Sequence, residues 1–163
     1  MNKSDMQTMH ACETCCQPRT GRRCKCCDAV GDVPALVRWC AENDPSMPLY
    51  GVSASRGIYR NASGGWMIAR GAFEPQNALP DYLSDRNAAV RVLEAVCQSF
   101  ESQQRFPVEL HIVVETYTGI LDQFALFTAP AWAILYAAKR ATGWTKLNAE
   151  LAKRRSLNDR RLP

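Results

Sequence analysis

Six of the eight cysteines in this 163-residue chain, Cys12, Cys15, Cys16, Cys24, Cys26 and Cys27, fall within sixteen residues. A globular chain of this length buries roughly 60–70% of the surface its unfolded form exposes, and folds without covalent staples. The clustered thiols therefore answer a local need. Taking Cys12, Cys15, Cys24 and Cys27 gives C-x2-C-x8-C-x2-C, two pairs whose two-residue spacers let both sulfurs of a pair turn toward one ion. Four thiolates are the soft tetrahedral set of a structural zinc, and they leave no position for a catalytic water. Between the pairs, Gln17-Pro18-Arg19-Thr20-Gly21 is turn material that can reverse the chain. Cys16 and Cys26 could each replace a neighbour, and a cluster of reactive thiols is the competing reading. Cys40 and Cys97 fall in helical stretches and read as core residues.

The metal reading requires a reducing compartment. The first ten residues are polar and hold no apolar stretch of the kind a secretory signal uses. The longest apolar run, Phe124–Ala138, is broken by Thr128 and Pro130 and falls short of the roughly 20 residues that span a bilayer. These features predict a cytosolic protein with no membrane partner, where clustered cysteines bind metal more often than they form disulfides.

Charge is segregated. Residues 1–27 carry a net +3, residues 28–138 a net −5, and residues 139–163 a net +6 from eight basic and two acidic side chains. Arg19, Arg22, Arg23 and Lys25 lie on and beside the expected zinc loop, where they are candidates for phosphate contact. The plainer reading of both basic ends is a solvated surface.

A first helix is expected from Pro34 to Asn43, capped by Asp32 or Val33. Tyr50–Tyr59 and Trp66–Phe73 read as strands flanking a hairpin turn at Asn61-Ala62-Ser63-Gly64-Gly65. Ser84 or Asp85 caps a helix reaching about Gln104, with Ala89, Val92, Leu93, Val96 and Phe100 as its apolar stripe and Pro107 as its stop. In Val108–Tyr117, Val108, Leu110, Ile112 and Val114 alternate with Glu109, His111, Val113 and Glu115, the pattern of a half-buried strand. Gln123–Phe127 is its expected return strand. Thr128 and Pro130 open a last helix that Gly143 can interrupt. The divisions expected are a disordered tail over 1–11, a four-cysteine zinc-ribbon-like segment over 12–30, an α+β domain over 34–145, and a basic helical extension and tail over 146–163. The expected fold is an antiparallel four-stranded sheet with helices packed on it.

Three features carry a resemblance over residues 34–144. They are the hairpin closing on Gly64-Gly65-Trp66, the string Pro80-Asp81-Tyr82-Leu83-Ser84-Asp85-Arg86-Asn87-Ala88-Ala89, and Thr128-Ala129 opening an alanine-rich helix that ends near Gly143-Trp144. In these the chain resembles the phage ABA-sandwich domain family. The resemblance implies a sheet between helical layers and a bacteriophage or prophage origin, but no chemistry. On the residues themselves, Pro80 stiffens the loop before the helix, and Asp81 and Tyr82 are a candidate ligand loop.

Motifs for catalysis are thin. His10 is at most a substitute metal ligand, and Glu109, His111 and Glu115 share the expected polar strand face without a recognisable motif. The function expected is therefore that of a non-catalytic phage accessory protein that binds a host protein or a small nucleotide ligand, with counter-defence as one role. The alternative is a zinc-dependent nucleic-acid-binding regulator that grips phosphates with its basic ends. A small metalloenzyme centred on His111 is third.

Overall fold

The computed structural model describes residues 10–11, 18–19, 24–47, 57–68, 77–118 and 128–159. Two short strands, β1 (His10–Ala11) and β2 (Pro18–Arg19), pair antiparallel with His10 opposite Arg19. Helices α1 (Lys25–Val30) and α2 (Val33–Asn43) follow. A small antiparallel sheet comes next: β3 (Ile58–Arg60), β4 (Trp66–Ile68) and β5 (Asn77–Ala78), in that spatial order. Three further helices are described: α3 (Arg86–Val96), α4 (Phe100–Thr118) and α5 (Ala131–Asp159).

Local chemistry accounts for most of the boundaries. Gly31, at φ 70°, closes α1, and Asp32 then caps α2 by accepting the Ala35 N–H at 2.9 Å. The β3–β4 turn is organised by Asn61, whose side-chain oxygen accepts from the Gly65 N–H and the Ser63 hydroxyl, both at 2.8 Å, while Gly64 takes φ 83°. Asp85 caps α3 by accepting from the N–H groups of Asn87 and Ala88. Ser99 opens α4, its hydroxyl accepting the Ser102 N–H at 3.2 Å.

The core lies among the helices. In α5, Ala131–Leu135, Ala137, Ala138 and Ala141 are all buried, so this half of the helix is enclosed on nearly every side. Its alanines let α3 and α4 approach closely. From α4, Phe106, Leu110, Val113 and Val114 face this seam at helical spacing. Helix α1 joins the same core: Cys24, Cys26 and Ala29 are buried with it, and α1 packs against α2, α4 and α5. The three-stranded sheet sits at the margin, with β3 against α2.

The expected four-stranded sheet is not there. Its central element, Val108–Tyr117, is helical throughout, and with it goes the sandwich architecture that the family resemblance implied. Burial gives the physical reason. Val113, assigned to the polar strand face, is 1% exposed, whereas Val108 and Ile112, assigned to the core, are 47% and 40% exposed. The apolar positions that count are Phe106, Leu110, Val113, Val114 and Tyr117, a spacing of 4, 3, 1 and 3 that belongs to a helix. Pro107 does not stop a helix but lies inside α4. The chain forgoes the hydrogen bond that a proline cannot donate, and the α4–α5 packing offsets that loss. The expected helix to Gln104 ends instead at Val96, and Phe100, placed on its stripe, is exposed.

Other expectations fared differently. Helix α2 and its cap, the hairpin turn and the Asp85 cap stand as read. Asn77–Ala78 adds a strand in what read as loop, and the last helix runs unbroken through Gly143. Within the segment 1–11, expected as a disordered tail, His10 and Ala11 are paired in β1; residues 1–9 lie outside the described residues, as does Gln123–Phe127.

The helical phase of α4 has a direct consequence for stability. Val113→Asp buries a carboxylate in the α4–α5 seam and is expected to cost several kcal/mol. Val108→Asp, on the exposed face, is expected to stay within about 0.5 kcal/mol of the parent. Urea unfolding of the two variants checks this, and the reverse order would restore the strand.

Candidate functional site

Among the described residues two carboxylates are fully buried, and each is surrounded by partners. Glu109, in the middle of α4, lies in the seam with α5. Arg105, one turn earlier, donates Nε to Oε1 at 2.9 Å, with Nη2 at 2.8 Å. Arg140 of α5 donates Nε to the other oxygen, Oε2, at 2.6 Å. The buried charge thus has a guanidinium on each oxygen, which is the condition for a desolvated carboxylate to be tolerated. Hydrogen bonding to Glu109 in turn raises the Arg140 pKa, holding that guanidinium charged.

Both guanidiniums remain about two-fifths exposed, and both lie over aromatic rings. Arg105 is 5.0 Å from the centre of the Trp144 indole, and Arg140 is 5.7 Å from that of Tyr136. Trp144 stays 45% exposed, and Leu147, one turn further along α5, 47%. Arginines, an open indole and an exposed leucine therefore share one end of the α4–α5 seam.

Asp44, at the end of α2, is the second buried carboxylate. It accepts from the Ser46 N–H at 3.0 Å and the Ser46 hydroxyl at 2.8 Å, and from Tyr82 Oη at 3.1 Å. Arg91 of α3 completes the set at 3.3 Å. Burial works against the Asp44 charge, but these four bonds outweigh it and hold the carboxyl below its ordinary range. Tyr82 is itself wholly buried, and burial beside Asp44 pushes its phenol well above its usual range. The candidate ligand loop is thus divided: Tyr82 ties α2 to α3, while Asp81 is exposed and its carbonyl accepts the Ser84 and Asp85 N–H groups.

The proposed polar face of Glu109, His111 and Glu115 is likewise broken up. Glu109 is buried, whereas His111 and Glu115 form an exposed pair, 3.7 Å apart, one helical turn from each other. Cys40 is a buried free thiol whose pKa is pushed far up by burial, and Cys97 is a free thiol shifted the same way. Both are poorly suited to thiolate chemistry.

In the cysteine segment, Cys24 is the N-cap of α1, and its Sγ accepts the Cys27 N–H at 3.3 Å. The two side chains are three residues apart at the start of a helix, so they leave it on one side. Cys24 and Cys26 are 2% and 1% exposed and both belong to the hydrophobic core, whereas Cys27 is partly buried, so burial does not choose between Cys24 and Cys26 as ligands. The six residues containing Cys12, Cys15 and Cys16 join the paired ends of β1 and β2 and lie outside the described residues. Among the described residues alone, no three His, Cys, Asp or Glu side chains converge on a metal position. Of the candidate phosphate contacts, Arg19 is in β2, Lys25 is exposed in the first turn of α1, and Arg22 and Arg23 lie outside the described residues.

Helix α5 is 29 residues long, about 44 Å at 1.5 Å per residue. Among its described side chains Ala141 is the last one buried, and the sequence beyond it carries Lys146, Lys153, Arg154 and Arg155. No helix among the described residues is long and apolar enough to cross a membrane. Comparison of the chain with family models, curated proteins and solved structures finds no match.

Acid sensitivity follows from Asp44. Its folded pKa lies below its unfolded value, so its contribution to stability is present above the unfolded pKa and is lost as pH falls through the folded one. Asp44→Asn is expected to lower stability at neutral pH and to flatten its decline on the acid side. Unfolding midpoints of both proteins across pH 2–6 check this by difference, which cancels groups common to the two.

Proposed function

We propose that this chain is a non-catalytic nucleic-acid-binding protein of the cytosol, with a structural zinc holding its N-terminal segment. The observation that carries the nucleic-acid reading is helix α5, whose first half is enclosed in the core and whose sequence turns basic after Ala141, where the described side chains of Trp144, Leu147 and Glu150 are exposed. A long cationic helix anchored at one end can follow a phosphate backbone, and each neutralised phosphate releases a counterion. The acidic central segment opposes binding elsewhere on the chain and so directs an anionic partner toward the ends. The buried carboxylates support a binding role, because both are committed to internal ion pairs and hydrogen bonds.

Zinc in this reading takes Cys24 and Cys27 from α1, with Cys12 and Cys15 as the second pair. The Cys27 N–H donated to Cys24 Sγ is the kind of bond that stabilises a metal-bound thiolate. The ion would be structural, since four thiolates complete its shell.

Native mass spectrometry of the reduced full chain is expected to find close to one zinc. Cys12→Ser and Cys27→Ser should each lose it, while Cys40→Ser and Cys97→Ser keep it. Metal-free protein containing disulfides instead would overturn the zinc assignment. Because α1 packs into the common core, removing zinc with a chelator should also lower the melting temperature of the whole domain.

Binding is tested with a labelled oligonucleotide at two salt concentrations. Deleting residues 154–163 removes Arg154, Arg155, Arg160 and Arg161; combining this with Arg19→Ala, Arg22→Ala and Arg23→Ala strips both basic ends. Affinity at low salt should collapse, and the salt slope should fall by roughly 0.7–0.9 for each phosphate left without its cation. Unchanged binding in folded, zinc-loaded protein would sink the role given to the basic ends.

A further inference from the structure

We infer that the outer end of the α4–α5 seam is a base-stacking site for single-stranded nucleic acid, with Trp144 as its platform. This rests on the nucleic-acid reading above and names the form of ligand. Trp144 is an unusual residue to leave 45% exposed, because an indole carries one of the largest apolar surfaces of any side chain. Among the described side chains of α5, Ala141 is the last one buried, and Trp144 lies three residues beyond it. The Arg105 guanidinium lies over the ring at 5.0 Å, which orders the indole and leaves the rest of its surface to solvent.

Charge selects the occupant. Arg105 and Arg140 share a single buried carboxylate, so the trio carries a net positive charge at the edge of the indole. Lys139 precedes Arg140, and the basic continuation of α5 begins just beyond Trp144, with Lys146. An acidic or phosphorylated backbone matches this field, and an aromatic face within it takes a base. In a duplex, bases are stacked on one another and present only their edges, whereas a single strand offers a free π-face for an indole to cover. Glu109 acts here as a positioning residue: it fixes both guanidiniums beside the platform while contributing no surface of its own.

The test compares an oligothymidylate with a duplex of equal length, using the full zinc-loaded chain at low and at moderate salt. The single strand should bind more tightly and quench part of the tryptophan fluorescence. That quenching should vanish in Trp144→Phe, because Trp66 and Trp132 are buried and only Trp39 is otherwise partly open. Trp144→Ala should weaken single-strand binding about 10-fold or more, while Trp144→Phe, which keeps an aromatic face, recovers most of it. Melting temperatures of both variants show whether they fold. Equal affinity for duplex and single strand, or a Trp144→Ala protein that binds the single strand as tightly as the parent, would overturn the stacking site and leave the basic-helix reading standing. No nucleic-acid binding at any salt would end both readings and turn the exposed Trp144 and Leu147 toward a protein partner.

Discussion

Everything in the helical body depends on how α4 lies against α5, and Glu109 sets that arrangement. A carboxylate with no exposed surface is tolerated only if the charge is matched at close range. Arg105 supplies one match from the same helix, one turn away, and Arg140 supplies the other from the opposing helix. The second match is possible in one register only, with Glu109 opposite Arg140 and Arg105 opposite Trp144. Hydrophobic contacts among Phe106, Leu110, Val113 and Val114 supply the attraction along the seam, but they would tolerate sliding. The ion pair across the seam does not, because displacement by a turn leaves one oxygen of the buried carboxylate without its partner. Apolar burial thus brings the helices together, and the polar trio specifies how they meet.

The second buried carboxylate does for the other half of the body what Glu109 does for this one. Asp44 gathers Ser46 from its own loop, Tyr82 from the loop before α3 and Arg91 from α3 itself, so a single side chain fastens α2 to α3. Helix α3 then packs on α5, closing the connection between the two halves.

What was legible in the sequence was local. Asp32, Asp85 and the Asn61–Gly65 turn could be read because a cap or a turn depends on residues within a few positions of one another. The segment after Pro107 could not, because Val108-Glu109-Leu110-His111-Ile112-Val113-Val114 satisfies both periods. Alternation with period two uses Val108, Leu110, Ile112 and Val114, and the helical period uses Leu110, Val113 and Val114 together with Phe106 and Tyr117 outside the window. What decides between them is a partner 31 residues away, since only the helix brings Glu109 to Arg140. The candidate phosphate-binding residues of the N-terminal segment were legible as charge but not as placement. Glu109 itself reads as solvated in the sequence, because nothing local distinguishes an acid on a wet surface from one whose partners arrive from another helix. Two signals did point the other way: the i, i+4 spacing of Arg105 and Glu109, and a second arginine at the edge of an alanine-rich stretch.

The alanine-rich half of α5 explains why its basic half can be helical. A helix of mostly polar, charged residues has little to hold it when it leaves a protein, and isolated helices shorter than about 12–15 residues are marginal in water. In α5 the costly first turns are already formed inside the core, where Ala131–Ala141 are packed against α3 and α4. The extension then only propagates a helix that exists, one hydrogen bond for each residue added. Its stability therefore comes from the seam, and whatever loosens the seam shortens the helix. Helix α1 belongs to that seam as well, packing against both α4 and α5 and contributing Cys24 and Cys26 to the core. A metal gripping Cys24 and Cys27 would thus stabilise the base from which the basic helix grows. In this architecture the cysteine segment and the C-terminal extension, the two most basic parts of the sequence, are physically coupled through the apolar core between them.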